Sequence, residues 1–113
     1  MNIFLIGFRC TGKSSVGKAL AQRLTYPFKD ADEELVAESG VSITDMVAKH
    51  GWPFFREQER DIIHRLSLSD NRVIATGGGV ILDPDNIRDM KHNGFVMWLK
   101  GKTRNHQTAN YAG

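Results

Sequence analysis

Gly7, Phe8, Arg9, Cys10, Thr11, Gly12, Lys13 and Ser14 match the pattern GxxxxGK(S/T) at every fixed position. That spacing is the chemistry of a loop that wraps a polyphosphate. Backbone N–H groups along Cys10, Thr11, Gly12, Lys13, Ser14 and Ser15 can converge on phosphate oxygens where a strand passes into a helix. Lys13 supplies a mobile point charge for the β and γ phosphates, and Ser14 a hydroxyl ligand for Mg²⁺. Gly7 and Gly12 avoid side chains that would obstruct the wrap. The Cys10 thiol is read as small-residue packing, with no chemistry of its own.

Three further groups bear on the same cavity. Asp30 and Asp32 stand two apart after a short apolar stretch. On a strand end both carboxylates would share a face, one holding Mg²⁺ through water and the other accepting a proton from a substrate hydroxyl. Helix capping by Asp32 is the competing reading. Arg56 precedes Glu59 by three residues on a helical pattern, which suits either a solvated surface pair or a guanidinium oriented for bidentate capture of a carboxylate. Gly77, Gly78 and Gly79 follow an apolar strand, where bare backbone could approach a ligand or merely form a flexible connection.

The elements that must position these residues alternate in type, which implies a parallel sheet with helices packed on it. Strands are expected at Asn2 to Gly7, from Phe28, at Arg72 to Thr76 and at Phe95 to Leu99. A helix over Lys13 to Leu24 would bury a stripe of Val16, Leu20 and Leu24. Shorter helices follow over Glu33 to Ser39 and Ile43 to His50, the second capped by Ser42. A long helix from Pro53 to Leu68 should bury Phe55, Ile62, Ile63 and Leu66. Asp83 and Pro84 start another helix that Asn93 and Gly94 end.

The ordered set resembles the shikimate kinase family: the loop from Gly7 to Ser15, FKDAD at Phe28 to Asp32, GVSITDM at Gly40 to Met46, FREQE at Phe55 to Glu59 and TGGG at Thr76 to Gly79. The resemblance implies an α/β, P-loop NTPase-like three-layer sandwich of the nucleoside-monophosphate-kinase type. It also implies transfer of the ATP γ-phosphoryl to the 3-hydroxyl of shikimate, a step toward chorismate and the aromatic amino acids. By position, Gly12, Lys13, Ser14 and Ser15 would contact nucleotide phosphates, with Ser14 on Mg²⁺ and Asp30 behind it in the metal's outer shell. Asp32 would bind substrate hydroxyls and take the proton, Arg56 would pair with the shikimate carboxylate, and Gly78 and Gly79 would line the pocket. The chain departs from the family's usual glycine at Cys10 and from its usual acidic residue at Trp52. The likeness runs to about Lys100. The polar stretch from 101 to 113 lacks a counterpart to the family's lid and later arginines, so a truncated kinase core with the final strand and lid missing, and impaired activity, is the expectation.

Composition bounds the alternatives. The 113 residues suit one globular domain, and a net charge of +2 argues for neither nucleic acid nor a membrane surface as partner. One cysteine excludes a disulfide scaffold and fits a reducing, cytoplasmic setting. No apolar run suits a spanning helix or signal peptide. A monomer is expected, with association possible through uncovered apolar surface. A loop of this kind alone does not separate shikimate phosphorylation from a nucleotide-binding module without turnover, or from a kinase of another hydroxylated metabolite such as gluconate.

Overall fold

The structure, a computed structural model, describes residues 1–7 and 13–99, leaving out the side chain of Lys13. The element order is β1 (Asn2–Ile6), α1 (Lys13–Leu24), β2 (Phe28–Asp30), α2 (Ala31–Ser39), α3 (Ile43–His50), α4 (Trp52–Ser67), β3 (Val73–Thr76), a 3₁₀ turn (Gly78–Leu82), α5 (Pro84–His92) and β4 (Gly94–Trp98).

All strand pairs are parallel, in the order β2-β3-β1-β4. β1 and β3 are the inner strands, and their near-continuous apolar runs are what a sheet covered on both faces requires. The chain travels from β1 to β2 in one direction across the sheet, and then back from β2 to β3 and on to β4 in the other. A constant hand of crossover puts connections running in opposite directions on opposite faces. Accordingly α1 packs through Ala21 onto Leu5 and Val73 on one face. The larger core on the other face joins Phe4, Ile6 and Ile74 to Leu35, Ile62, Ile63 and Met90 from the remaining helices. This is the three-layer α/β arrangement.

The helix ends follow local chemistry. Ser42 caps α3 through Asp45 N at 3.1 Å, and Asp83 caps α5 through Asp85 N at 2.9 Å, each satisfying an orphan N–H. Asn2, fully buried, bridges the loop before β3: it donates to Ser69 O at 2.7 Å and accepts from Arg72 N at 3.0 Å.

Two expectations are corrected. Of the expected stripe Val16, Leu20 and Leu24 in α1, only Leu20 packs inward, half-buried; Val16 and Leu24 are exposed, and Ala21 and Gly17 make the rest of the inward face. The Phe28 ring lies where a Cβ on Gly17 would stand, so at that position the helix approaches the sheet too closely for any side chain. The stretch after β3 is not a loose connection, because Gly78–Leu82 forms a 3₁₀ turn whose Val80 is fully buried.

Candidate functional site

The carboxyl ends of β1, β2 and β3 open onto one side of the sheet, where the chain's direction of travel reverses; such a switch point leaves a crevice. A cleft of about 510 Å³ occupies it, lined by Gly7, Asp32, Thr44, Trp52, Arg56, Glu59, the glycines 77–79 and apolar neighbours. Asp32, Arg56, Gly78 and Gly79 thus meet on one cavity although they come from three separate segments.

Asp32 reaches it differently from the expected strand end. β2 stops at Asp30, whose Oδ1 accepts from Asp32 N at 2.9 Å and Glu33 N at 3.1 Å and so caps α2. Asp32 therefore sits in the first helical turn, not on the strand, and the capping residue is Asp30. A carboxylate there also faces the positive end of α2. Its Oδ2 lies 3.8 Å from where a Cβ on Gly77 would stand, which places the carboxylate beside the glycine segment.

Arg56 is fixed from several sides. Its Nη1 donates to Glu59 Oε1 at 2.9 Å, and its guanidinium lies 5.3 Å from the Trp52 ring centroid and 5.2 Å from that of Phe55. Gly79 closes the remaining side, since the guanidinium fills the space a Cβ would take there. The Arg56–Glu59 pair is thus not a solvated surface pair: the Glu59 side chain is only 5% exposed.

Burial pushes the Glu59 carboxyl above its ordinary value; the hydrogen bond and charge of Arg56 pull it down, and Asp32 and Asp83 push it up again. A carboxyl raised in the folded state binds its proton more tightly there than in the unfolded chain. Its contribution to stability is therefore full below the unfolded value and is lost as pH rises through the folded one. Glu59→Gln should consequently gain stability relative to the unmodified chain as pH rises from 4 to 7, beyond any pH-independent offset. Urea unfolding at several pH values reads this, and a difference that shrinks over that interval would refute it.

The phosphate-loop residues Cys10, Thr11 and Gly12 lie outside the described residues, as does the Lys13 side chain. Gly7 follows β1 and lines the cleft, and Ser14 and Ser15 occupy the first turn of α1. Among the described residues no cluster of His, Cys, Asp or Glu has the makings of a metal centre, and no helix is long and apolar enough to cross a membrane.

The sequence alone does not reveal Trp52 as a wall of the cleft, nor the burial of Asn86. Trp52 stands four residues before Arg56 on a helical pattern, a spacing that brings the two side chains together. Asn86 is fully buried in the first turn of α5, and nothing in its neighbours' pattern marks it.

Comparison with known proteins bears on the same residues. The profile of the family described as Shikimate kinase matches residues 9–109. The shikimate kinase of Syntrophus aciditrophicus is 52% identical over 98 residues, which are 87% of this chain and 50% of that protein. The crystal structure of shikimate kinase from Aquifex aeolicus superposes with a TM-score of 0.82 at 40% identity, covering 88% of this chain and 59% of that one. The shikimate kinase from Acinetobacter baumannii in complex with shikimate gives 0.83 at 35% identity, over 86% and 54% of the two chains. The chain spans about half the length of these relatives.

Proposed function

This chain belongs to the shikimate kinase family, and on that footing we propose that its cleft binds shikimate for transfer of the ATP γ-phosphoryl group to the 3-hydroxyl. One observation carries the reading: a guanidinium held rigid by Glu59, Trp52 and Gly79 stands in the same cleft as the Asp32 carboxylate. The chemistry this favours is an acceptor with a carboxylate at one end and hydroxyls at the other.

In this reading Arg56 takes the carboxylate and Asp32 takes the hydroxyl. Glu59 keeps the guanidinium in one geometry, so little side-chain freedom is lost on binding. As the hydroxyl oxygen attacks the γ-phosphorus and ADP leaves, Asp32 receives the hydroxyl proton. The backbone of Gly78 and Gly79 lines the acceptor side, while Cys10, Thr11, Gly12, Lys13, Ser14 and Ser15 hold the nucleotide phosphates, as their motif requires. One hydroxyl, from Ser14, and one carboxylate, from Asp30, suit Mg²⁺ held otherwise by phosphates and water. Asp30 already spends Oδ1 on the α2 cap, which fits a place behind metal-bound water better than direct ligation. Bound there, Mg²⁺ neutralises phosphate charge. A cytoplasmic, monomeric enzyme of chorismate formation is the corresponding setting.

An ADP-release assay with shikimate, gluconate and nucleoside monophosphates tests the acceptor. Shikimate should be preferred; clear preference for another acceptor, or nucleotide binding with no acceptor-dependent turnover, would overturn the proposal. Arg56→Ala should weaken shikimate binding by roughly 10- to 100-fold, the worth of a charged hydrogen bond, and leave Mg·ATP affinity unchanged. Calorimetric titration of both ligands checks it. Equal loss of both in a folded variant would remove Arg56 from the acceptor site.

A further inference from the structure

We propose that Asn86 is a positioning residue that holds the glycine wall of the cleft against Arg56; the inference rests on the acceptor site just described.

Asn86 is fully buried, and its Nδ2 donates to Val80 O at 3.2 Å. Val80 belongs to the 3₁₀ turn that begins at Gly78, directly beside the Gly79–Arg56 contact. The turn's own closing bonds are long, 3.4 Å from Val80 N to Gly77 O and 3.3 Å from Asp83 N to Val80 O. A short 3₁₀ segment with such bonds at its ends is weakly determined by itself. The carboxamide adds a bond from a different element, α5. That element is tied in turn to α4 by Arg60 Nε donating to Asp83 Oδ2 at 2.8 Å, one helical turn beyond Arg56. Wall and guanidinium are thereby referenced to the same helix pair.

The carboxamide is costly where it stands. Its Oδ1 is buried and has no hydrogen-bond partner among the described residues. Leaving a buried acceptor unsatisfied is unfavourable, and an apolar side chain of the same size would fill the space without that penalty. A donor kept at such a cost is explained by what the donor holds, the Val80 carbonyl. Burial of the Val80 side chain is the competing explanation for the turn's shape.

The test uses the full chain, ¹⁵N-labelled, with Asn86→Leu and Asn86→Ala. Both variants should speed amide hydrogen exchange at Val80 and Asp83 by about tenfold, the worth of one ordinary hydrogen bond. Shikimate affinity should fall by a similar factor, Mg·ATP affinity should not change, and the leucine variant should melt no lower than the unmodified chain. A purely structural role predicts the reverse, a lower melting temperature with unchanged exchange at the turn and unchanged shikimate affinity. Exchange at Val80 and Asp83 that is unaltered in a folded variant overturns the proposal. If the unmodified chain binds no shikimate, the acceptor reading fails, and the exchange result still judges Asn86. Should neither variant fold, one Asn86 Nδ2 hydrogen of the unmodified chain should exchange far more slowly than those of exposed Asn71, and equal rates would overturn it.

Discussion

Gly79→Ala is expected to lower the affinity for shikimate by about 100-fold while changing the melting temperature little. A Cβ at this position would stand 2.5 Å from Nη2 and 2.7 Å from Cζ of Arg56, distances real Cβ atoms do not reach. The clash falls on the far end of a flexible side chain, so the fold can relieve it by swinging the guanidinium aside. Relief has a functional cost, because the displaced guanidinium leaves Glu59 and the Trp52 ring and loses the geometry in which a carboxylate can take two of its N–H groups. Gly77→Ala is the control. Gly77 has an extended backbone that alanine adopts freely, and among the described residues its Cβ would meet only Asp32 Oδ2, at 3.8 Å. Calorimetry with shikimate should separate the neighbouring variants, Gly77→Ala losing little affinity and Gly79→Ala losing most of it. Indistinguishable affinities would mean that Arg56 is not what requires glycine there.

Gly94→Ala is expected to be the most damaging single methyl group for the fold, costing about 3 kcal/mol. Its Cβ would stand 2.6 Å from the carbonyl oxygen of Met90 and 2.7 Å from Cε2 of Phe4. Neither neighbour can yield: the first is helix backbone in α5, and the second is a fully buried ring in the larger core. Gly94 also begins β4 opposite Asn2 of β1, so a shift there would open the strand pairing at its first rung. Set against a total stability of roughly 5–15 kcal/mol for a small domain, a loss of this size moves the chain well toward unfolding. Urea denaturation measures it directly, and a loss below about 1 kcal/mol would show that α5 can retreat. The sequence suggests a different reason for this glycine, a helix ending with the help of Asn93. Gly94 is not among the glycines with a left-handed backbone, so what it provides is space, not conformation.

That difference marks where sequence reasoning stopped. Residue types with a local mechanism could be read directly. Ser42 and Asp83 announced the starts of α3 and α5 because capping needs only a side-chain oxygen and the N–H groups just after it. The buried stripe Phe55, Ile62, Ile63 and Leu66 of α4 followed from helical periodicity. The same rule fails for Val16 and Leu24 of α1, which are on the outside, because the inward face is set by how near the Phe28 ring lies to Gly17. Asp30 and Asp32 are both legible as candidate site residues, but their parts in the fold depend on β2 ending two residues earlier than a shared strand face requires.

The linear order of residues determined by itself the alternation of strands and helices and the phosphate-loop pattern, because each rests on contacts or spacings within a short stretch, and the family, because the order of such stretches along the chain is itself linear. Only the tertiary structure decided that the sheet runs β2-β3-β1-β4, that Arg56 is packed between Glu59, Trp52 and Gly79, and that Asn86 reaches under the glycine turn. Those are relations between segments distant along the chain. They arise when parallel strands separated by whole helices come into register, a step governed by the burial of both sheet faces at once and by no local signal.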